Sequence, residues 1–576
     1  MTAVTSVKKI VNLDVLVVVL MRVHHEGEYG NLVGENISRI FEELEEARRF
    51  YWINSHCMLN LTLHWLLVLK EVSFKGWWLP PDKVYPIVDE ALTKIGQNRE
   101  NYDSIVAVWA TPNYTPEKKP IGEVWGPGGT VRRYSSFPAD TTLAWLFVHE
   151  FHHQLDEFFN LSGHPEYPHA DKPQELEGFF GEHFDFNAHI LRSWPPEKWL
   201  KLTYPHPDII EVVDTDQDGI PDRDPRLPVD ELRFGSNPYS PDTDQDGLND
   251  LEELMAGIYY STSPTDPDTD KDGTPDGEDP YPLYPITTEI LKNNWTLISK
   301  NFTIQKHFEL NPTIYAKWTL DKLSFKIILD NPCTLKLYLD TNADGWFHGK
   351  DNYEIIVNPP GKLAKIHVLD CSEKGKIIWD DDPNYNKPPL TSIKDIKIKT
   401  SNKGKTIELH LKKNTKTGLE PSEGKTIGLR VEFEKNGKWV SVFERYSFVK
   451  FSLVTKPSRQ NRLERTTKGV FYTPPPLVHL HTIVEKVEDS RKVWFKTNVV
   501  NYGSHADRIS VDMKLGISKK LALSSLDRFE ELTIKTAVIT EEKVLSVIPN
   551  YNISVGSIYK ESYSEPLIAV YFDDKF

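Results

Sequence analysis

The sequence predicts a multidomain chain, with an α+β domain first, then an acidic segment of short repeated loops, and then two all-β sandwich domains. Three observations carry this prediction. Buried-strand and amphipathic-helix patterns alternate over residues 1–210, an Asp-rich motif recurs within residues 211–285, and short alternating strands fill residues 286–456 and 457–576. A chain of 576 residues is too long for one core, which independently favours about four domains.

The first 210 residues follow the order of a mixed sheet backed by helices. Predicted strands cover 13–23, 57–69 and 102–110, and predicted helices cover 36–52, 81–95 and 143–159. Residues 1–23 superficially resemble an export signal, because Lys8 and Lys9 precede an apolar run. Asn12 and Asp14 interrupt that run and no small-residue cleavage site follows, so we expect a buried strand there, which leaves the export route open.

The predicted helix 143–159 contains the pattern His-Glu-x-x-His, formed by His149, Glu150 and His153. A spacing of four residues puts both imidazoles on one helical face, where they can occupy two corners of a tetrahedral zinc site. Glu150 lies beside that position and can hold a water molecule. Pro138 suits the first turn of the helix. The alternative is a core helix whose two histidines have only structural partners.

On these residues the chain resembles the zincin metallopeptidases, over about its first 200 residues. The resemblance implies a zinc ion on His149 and His153, Glu150 as the general base, and hydrolysis of peptide bonds. In that family the strand before the motif helix binds extended substrate through its backbone, and the region 124–134 suits that role. A plain hairpin explains the same region equally well.

A catalytic zinc site needs a third protein ligand, which the sequence leaves open. The extended metzincin motif is disfavoured, because the chain has Asp156 and Phe159 where that motif has other residues. The gluzincin arrangement takes a glutamate from a later helix, and Glu182 is our first choice. In gluzincins an aspartate follows the ligand glutamate after four residues. Here that position, 186, is Phe, and Asp185 lies three residues after Glu182. Asp185 is therefore the alternative third ligand. Further candidates are His183, Glu177 and His164.

Other polar residues near the motif have two interpretations each. Asp156 lies one turn beyond His153 and either orients an imidazole or is an ordinary surface charge. Tyr167 or His169 either polarises the oxyanion of a substrate or packs in a loop. We expect His152 to face away from the motif pair.

The acidity of the chain is concentrated in one segment. Residues 214–279 contain twenty acidic and four basic residues and carry the whole net charge of −16, so the remainder is neutral. Three repeats place Asp at loop positions 1, 3, 5 and 9 and Gly at position 6. The predicted calcium ligands are Asp214, Asp216, Asp218 and Asp222 in the first repeat, Asp242, Asp244, Asp246, Asp250 and Glu253 in the second, and Asp268, Asp270, Asp272, Asp276 and Asp279 in the third.

These repeats resemble thrombospondin type 3 repeats, which implies several structural calcium ions in a rigid spacer. The first repeat has Pro225 at position 12, so its last ligand comes from elsewhere, with Asp224 and Asp230 as candidates. An acidic disordered linker is the alternative. It is disfavoured because such a linker needs no glycine at a fixed offset.

The two remaining domains are predicted to be sandwiches without a catalytic cluster. Residues 286–456 resemble family 9 carbohydrate-binding modules and DOMON-like sandwiches, and residues 457–576 resemble an immunoglobulin-like adhesion module. In the first of them a further calcium site or a metal-free turn is formed by Asp340, Asn342, Asp344 and Asp351. Trp318 and Trp346 either stack on sugar rings or lie in the core. Cys333 and Cys371 could pair, whereas Cys57 lies in another domain.

The sequence therefore predicts a secreted or cell-surface zinc metalloendopeptidase with a calcium-stabilised spacer and binding modules. Its expected substrate is a protein or peptide, and a cell-surface glycan or surface-layer component is a candidate partner. We expect no nucleic-acid partner, because no basic stripe is visible, and no transmembrane segment. The alternatives are a non-catalytic extracellular adhesion protein with a vestigial zincin domain, and a glycan-directed hydrolase that uses zinc on an amide or ester.

Overall fold

The structure is a computed structural model that describes most of residues 6–573. The parts of this span outside the description are 36, 77, 113–128, 140–142, 170–183, 259, 301, 304–309, 344–350, 359–361, 370–395, 402–404, 436–437, 444–448 and 457–471.

The first domain has the predicted mixture of strands and helices. Its elements are β1 (Val7–Leu20), β2 (Arg22–His25), β3 (Glu28–Asn31), α1 (Ser38–Asn54), β4 (Leu59–Val68), β5 (Val72–Phe74), α2 (Pro81–Lys94), β6 (Ser104–Trp109), β7 (Gly129–Val131), β8 (Tyr134–Pro138), α3 (Leu143–Leu161), α4 (Phe184–Ser193) and α5 (Pro196–Trp199). The predicted helices and the second and third predicted strands agree with these to within about two residues. The first predicted strand, 13–23, is instead β1, which begins at Val7, and part of β2, and Pro138 ends β8 and does not open α3. None of the helices in the described part is long and apolar enough to cross a membrane.

Strand β1 is the centre of the main sheet, in the order β4-β1-β6-β8-β7. It pairs in parallel with β4 and β6, and β6 pairs in parallel with β8, whereas β7 is antiparallel and lies at the edge. Val15, Val17 and Val19 face a core formed with α1 and α3. Leu16 and Val18 face a second core formed with α2. A strand covered on both faces is continuously apolar, which confirms that the start of the chain is a buried strand.

The acidic segment is not an extended spacer between domains. Strand β9 (Asp208–Val213) leads directly into it, and it contains α6 (Glu231–Phe234) and α7 (Asp250–Leu254). Strand β9 pairs antiparallel with β1, and the Trp52 indole of α1 donates a hydrogen bond of 3.1 Å to the carbonyl of Val229. Ile220, Leu227 and Leu254 lie in the same core as α1 and α3. The segment is therefore packed against the first domain.

Residues 289–454 form the first β-sandwich. Its strands are β10 (Glu289–Leu291), β11 (Thr296–Lys300), β12 (Thr313–Thr319), β13 (Lys322–Ile328), β14 (Leu335–Asp340), β15 (Asn352–Asn358), β16 (Lys362–Leu369), β17 (Ile396–Ser401), β18 (Thr406–Lys412), β19 (Thr426–Lys435), β20 (Lys438–Ser441) and β21 (Val449–Val454). One sheet has the order β10-β21-β19-β14-β15-β16 and the other β11-β12-β13-β18-β17. Alternate residues of both sheets fill one shared core, in which Phe325, Leu337 and Leu409 are fully buried.

The C-terminal region contains a second, seven-stranded sandwich. Its strands and those that follow them are β22 (Val478–Glu488), β23 (Lys492–Asn501), β24 (Ala506–Lys514), β25 (Ser518–Leu526), β26 (Glu531–Ile539), β27 (Val544–Val547), β28 (Asn550–Val555), β29 (Tyr559–Ser564) and β30 (Ile568–Tyr571). The sheets β22-β23-β26 and β25-β24-β28-β29 face one another.

Two strands of this region leave the sandwich and enter the first domain. β30 pairs in parallel with β4, and β27 pairs with β30, so both extend the main sheet. The prediction of a separate domain over residues 457–576 is therefore too simple. Val570 and Ala569 of β30 are fully buried in the first domain, because the edge of β4 offers unpaired backbone groups that an apolar strand can satisfy.

We expect Val570→Asp to destabilise the first domain, because Val570 lies in β30, which pairs with β4 although the two strands are far apart in the sequence. The substitution places an unpaired carboxylate in the core beside β4, at a cost of about 4 kcal/mol or more. The matched control is Ile558→Asp, where the side chain is 74% exposed. Chemical denaturation followed by tryptophan fluorescence measures both, and equal stability of the two variants would contradict the sheet extension.

Candidate metal centres

The motif histidines lie together on one face of α3. The ring centroids of His149 and His153 are 4.8 Å apart and their planes are nearly perpendicular, at 88°. The ring of His149 also stacks on Trp145, with centroids 5.4 Å apart. Both histidines are half-buried, so they face neither the core nor open solvent.

This spacing fits one zinc ion. Two imidazoles on a tetrahedral zinc, with Zn–N of about 2.0–2.1 Å, have ring centroids roughly 5 Å apart. Neutral imidazole is also a preferred zinc donor. The distance between the ring centroids is therefore compatible with two ligands of one zinc ion.

A buried polar network holds Glu150 against the edge of the sheet. The Thr130 hydroxyl of β7 lies 2.6 Å from Glu150 Oε2 and 2.9 Å from the Glu150 carbonyl oxygen. Ser135 Oγ donates to the same carbonyl at 3.3 Å and accepts from Gln154 Nε2 at 2.6 Å. Gln154 in turn accepts from Ser104 Oγ at 2.7 Å. These hydrogen bonds connect α3 to the three strands β6, β7 and β8, and they satisfy the polar groups of Glu150 and Gln154 that burial removes from water.

The edge strand β7 runs beside the motif residues. It is the last strand of the main sheet within the described part of the chain, and it pairs with β8. A Cβ on Gly129 would come within 2.6 Å of the Trp78 ring, so only glycine fits there. Of the predicted substrate region 124–134, residues 124–128 lie outside the described residues.

His152 faces away from the motif pair, as expected. It is fully buried, with Nδ1 3.2 Å from Asn187 Nδ2 and Nε2 3.2 Å from the Tyr167 hydroxyl. Burial, followed by the neighbouring histidines, lowers the pKa of His152 to about 3, so it is neutral. Tyr167 is also buried and stacks on Phe159 at 4.3 Å. Tyr167 therefore packs in the core below its loop, and its hydroxyl is not placed to polarise a substrate oxyanion.

Asp156 lies near a histidine other than those of the motif. Its Oδ1 is 3.7 Å from His169 Nδ1, and its side chain is half-buried. Asp156 is therefore not a freely exposed surface charge. His169 has a carboxylate neighbour that accounts for its position without an oxyanion role.

The third zinc ligand stays a prediction. Glu182, His183 and Glu177 lie outside the described residues, and Asp185 falls in the first turn of α4, where only the backbone is described. Helix α4 packs against both α3 and α1, which is the position that a ligand-bearing later helix requires. His164 follows the end of α3 and pairs with Glu166 at 3.0 Å. From His153 it is separated by eight residues of helix, a rise of about 12 Å, so it is not beside the pair.

The three acidic loops share one hydrogen-bond pattern. The aspartate at position 9 accepts the backbone N–H of the threonine at position 2, at 2.7 Å in the first loop, 3.0 Å in the second and 2.9 Å in the third. The aspartate at position 5 accepts the N–H two residues further on in every loop. Position 4 is left-handed in all three, with φ of 67°, 64° and 66° at Gln217, Gln245 and Lys271. A repeated backbone of this kind turns the carboxylates inward.

Each loop brings three carboxylates together. The oxygens of Asp214, Asp216 and Asp218 lie within 4.8 Å of one another, and the corresponding triads are Asp242, Asp244 and Asp246, and Asp268, Asp270 and Asp272. Several of their buried oxygens have no hydrogen-bond partner among the described residues. These include Oδ2 of Asp216, Asp218, Asp244, Asp270 and Asp276. Converging carboxylate oxygens without donors fit the six to eight oxygen ligands of calcium.

A further cluster links consecutive repeats through a residue that sequence reasoning missed. Glu231 lies with Asp218 of the first loop and Asp250 of the second, again within 4.8 Å. Its Oε2 has no partner in the described part of the chain, like that of Glu253. Asp224 and Asp230, the candidates for the last ligand of the first repeat, form ion pairs instead. Asp224 pairs with Arg226, and Asp230 pairs with Arg223 and Arg233. Glu231 is the first residue of the short helix α6 that follows the first loop, and Glu253 likewise lies in a short helix, α7, after the second loop.

Several carboxylates of this segment have a pKa raised well above the ordinary value. Burial, reinforced by neighbouring carboxylates, raises the pKa of Asp218 to about 8 and of Asp244 to about 7. The same causes raise the pKa of Glu231 to about 11 and of Glu253 to about 10. The arrangement therefore favours either protons or a bound cation.

The predicted metal loop of the first sandwich is described only in part. Asp340 is buried and accepts the backbone N–H groups of Asn342 and Ala343, at 3.1 and 2.8 Å. Asp344 lies outside the described residues, as do Trp346 and Cys371. Trp318 lies in the core, where its indole N–H donates a hydrogen bond of 2.9 Å to the carbonyl oxygen of Ile290. Its ring is therefore not placed to stack on a sugar.

No protein-family model matches the sequence, and no curated protein matches it. Among solved structures, a family 9 carbohydrate-binding module from Caldicellulosiruptor kristjanssonii in complex with cellotriose is 11% identical, with 29% of this chain and 85% of that chain covered and a TM-score of 0.20. The ApaA protein from Bordetella pertussis is 8% identical, with 18% and 98% covered and a TM-score of 0.13. These likenesses are too low to bear on function. The two β-sandwiches of this chain are established by their own strand pairing.

Proposed function

We propose that the protein is a secreted or cell-surface zinc metalloendopeptidase. The observation that carries the proposal is the pair His149 and His153, 4.8 Å apart, on a helix whose Glu150 is held beside an edge strand. His149 and His153 would hold the zinc ion with a third ligand from the later helix, Glu182 or Asp185. When bound, zinc acts as a Lewis acid and acidifies water.

Glu150 is the general base in this proposal. Its carboxylate accepts a proton from the attacking water and later transfers it to the leaving amine. The Thr130 hydroxyl, 2.6 Å from Oε2 of that carboxylate, would hold the base in position beside β7.

The proposed substrate is an extended segment of a protein. Strand β7 is the edge of the main sheet as far as the chain is described, and an extended peptide could add to it by backbone pairing. Thr130 lies in the middle of β7, so the strand that would align the substrate is the one that holds the base.

Calcium is proposed as a structural cofactor of the acidic segment. Extracellular modules with such loops bind calcium with Kd of about 10⁻⁴ to 10⁻³ M, which suits a location outside the cell. The sandwiches would attach the enzyme to a surface component. The competing proposal, an adhesion protein without catalysis, is separated from this one by the first experiment below.

We expect Glu150→Gln to reduce hydrolysis of an unfolded protein by about 10²- to 10⁴-fold, because the amide cannot accept a proton. Zinc content should be unchanged, since neither histidine is altered. The matched control is Glu157→Gln, a half-buried position further along the same helix. Full activity of a zinc-loaded Glu150→Gln protein would reject Glu150 as the general base, and no hydrolysis by the zinc-loaded unmodified protein would favour the adhesion protein.

We expect Thr130→Val to lower kcat by about 10- to 100-fold with little change in KM, because it removes a hydrogen bond to a charged group worth about 1.5–3 kcal/mol. Thr130→Ser keeps the hydroxyl and should retain most of the activity. Steady-state kinetics on a peptide substrate tests both. A valine variant as active as the serine variant would show that Thr130 does not position Glu150.

We expect the stabilisation by calcium to grow between pH 6 and pH 8. The metal-free loops contain carboxylates whose pKa values are raised to about 6 at Asp250, about 7 at Asp276 and about 8 at Asp218. The folded metal-free state therefore binds more protons than the unfolded state, and its stability falls as pH rises through these values. Calcium replaces the protons and removes the loss.

The measurement is the unfolding temperature in excess calcium minus that in EGTA, at pH 6, 7 and 8. We expect this difference to increase by about 5 °C or more across the range. A difference that is constant or shrinks toward pH 8 would contradict calcium binding by these carboxylates.

A further inference from the structure

One outer face of the first sandwich is dominated by lysine. In the sheet β11-β12-β13-β18-β17, residues such as Leu323, Phe325 and Leu409 face the core, and alternate residues face outward. The outward positions hold six lysines on four adjacent strands. We call this surface the lysine face, and it consists of Lys317, Lys322, Lys326, Lys397, Lys399 and Lys412.

The strand register places these lysines on a regular grid. Lys322 lies directly opposite Lys412, and Lys397 lies opposite His410. Neighbouring strands are about 4.8 Å apart and alternate residues along a strand about 6.7 Å. The like charges of Lys322 and Lys412 are unfavourable to the sheet, whereas Lys326 and Lys399 each lie opposite Glu408, a favourable pairing. Glu408 is the one carboxylate at an outward position of the four strands as described.

Aromatic rings hold part of the grid in place. The ammonium group of Lys317 lies 4.2 Å from the centroid of Trp295, and that of Lys326 lies 5.1 Å from it. Lys326 is also 4.2 Å from the centroid of Tyr315. Cation–π contacts of this kind restrict long side chains and so reduce the entropy lost when the ammonium groups bind a ligand.

The electrostatic effect of the face is visible at His410, which lies among these lysines. Burial is the largest cause of the lowered pKa of His410, and Lys322, Lys399 and Lys317 lower it further. Glu408, 3.5 Å from the imidazole, acts in the opposite direction without reversing the shift. Three lysines and one carboxylate are thus the charged groups that act on His410.

We propose that the lysine face binds an acidic polysaccharide of the uronate class. Charge complementarity selects a polyanion, and a flat grid of point charges suits carboxylates distributed along a flexible chain. Nucleic acid fits less well. Sheets that bind single strands expose aromatic faces for base stacking, whereas the rings of Trp295 and Tyr315 already carry ammonium groups. The face also lacks arginine, which binds phosphate in a bidentate manner.

The proposal goes beyond peptide hydrolysis and does not depend on it. Binding is measured with the full-length Glu150→Gln protein in calcium, so that neither catalysis nor loosening of the acidic segment intervenes. Hyaluronan oligosaccharide is the probe, dextran is the neutral comparison, and an oligothymidylate of equal charge is the nucleic-acid comparison. Isothermal titration at 50 and 150 mM NaCl gives the affinity and its salt dependence.

The test variant is the triple substitution Lys317→Gln, Lys322→Gln and Lys326→Gln. We expect it to bind hyaluronan at least about tenfold more weakly, with a shallower dependence on salt, because fewer counterions are exchanged. The matched control replaces Lys514, Lys519 and Lys520 by Gln on the second sandwich and should bind like the unmodified chain. Circular dichroism confirms that both variants are folded.

Three results would overturn the proposal. The first is that the protein with an unmodified lysine face does not bind hyaluronan. The second is that the test and control variants bind it equally well. The third is that oligothymidylate binds as tightly as hyaluronan. The last would identify the surface as a general nucleic-acid or polyanion site. None of these results bears on zinc or on peptide hydrolysis, which the Glu150→Gln comparison tests separately.

Discussion

The pairing of β1 is the constraint on which the other parts of the first domain depend. This strand pairs with β4 on one side and β6 on the other along its C-terminal half, and its N-terminal half pairs with β9, which leads into the acidic segment. A strand with both faces buried needs a helix layer on each side. Helices α1 and α3 form one layer and α2 the other, so the motif helix is placed by the same residues that fill the core.

Helix α1 connects the acidic segment to the motif helix. On one side its Trp52 donates to the carbonyl of Val229, between the first and second loops. On the other side its Tyr51 hydroxyl donates a hydrogen bond of 2.7 Å to the carbonyl oxygen of Val148, the residue before His149. Loosening of the loops by carboxylate repulsion would therefore be transmitted to α1 and to α3 through ordered contacts. Calcium in this arrangement would act on the whole first domain and not on a spacer.

The parts of the fold that depend on local patterns could be predicted from the sequence, whereas long-range pairings could not. The helices and the motif pair follow from spacing within about ten residues, which periodicity captures. The entry of β30 into the main sheet joins Val570 to Leu67, and no pattern at either position indicates the other. Glu231 was missed because the stacking of loops, which fixed offsets do not describe, brings it to carboxylates of two repeats. The lysine face was missed because antiparallel register collects lysines that are far apart in the sequence.

The acidic segment and the lysine face have opposite effects on a polyanionic partner. The acidic segment carries the entire net charge of −16, so the metal-free chain repels polyanions at long range, although the lysine face attracts them at contact. Each bound calcium adds two positive charges to that segment and leaves the lysine face unchanged. Because screening at physiological salt limits electrostatic effects to about 8 Å, contact with the face would still dominate affinity, and the acidic segment would mainly affect the rate of encounter. Calcium would then favour both the folded first domain and the approach of the chain to an acidic surface, so one ion concentration would govern stability and location together.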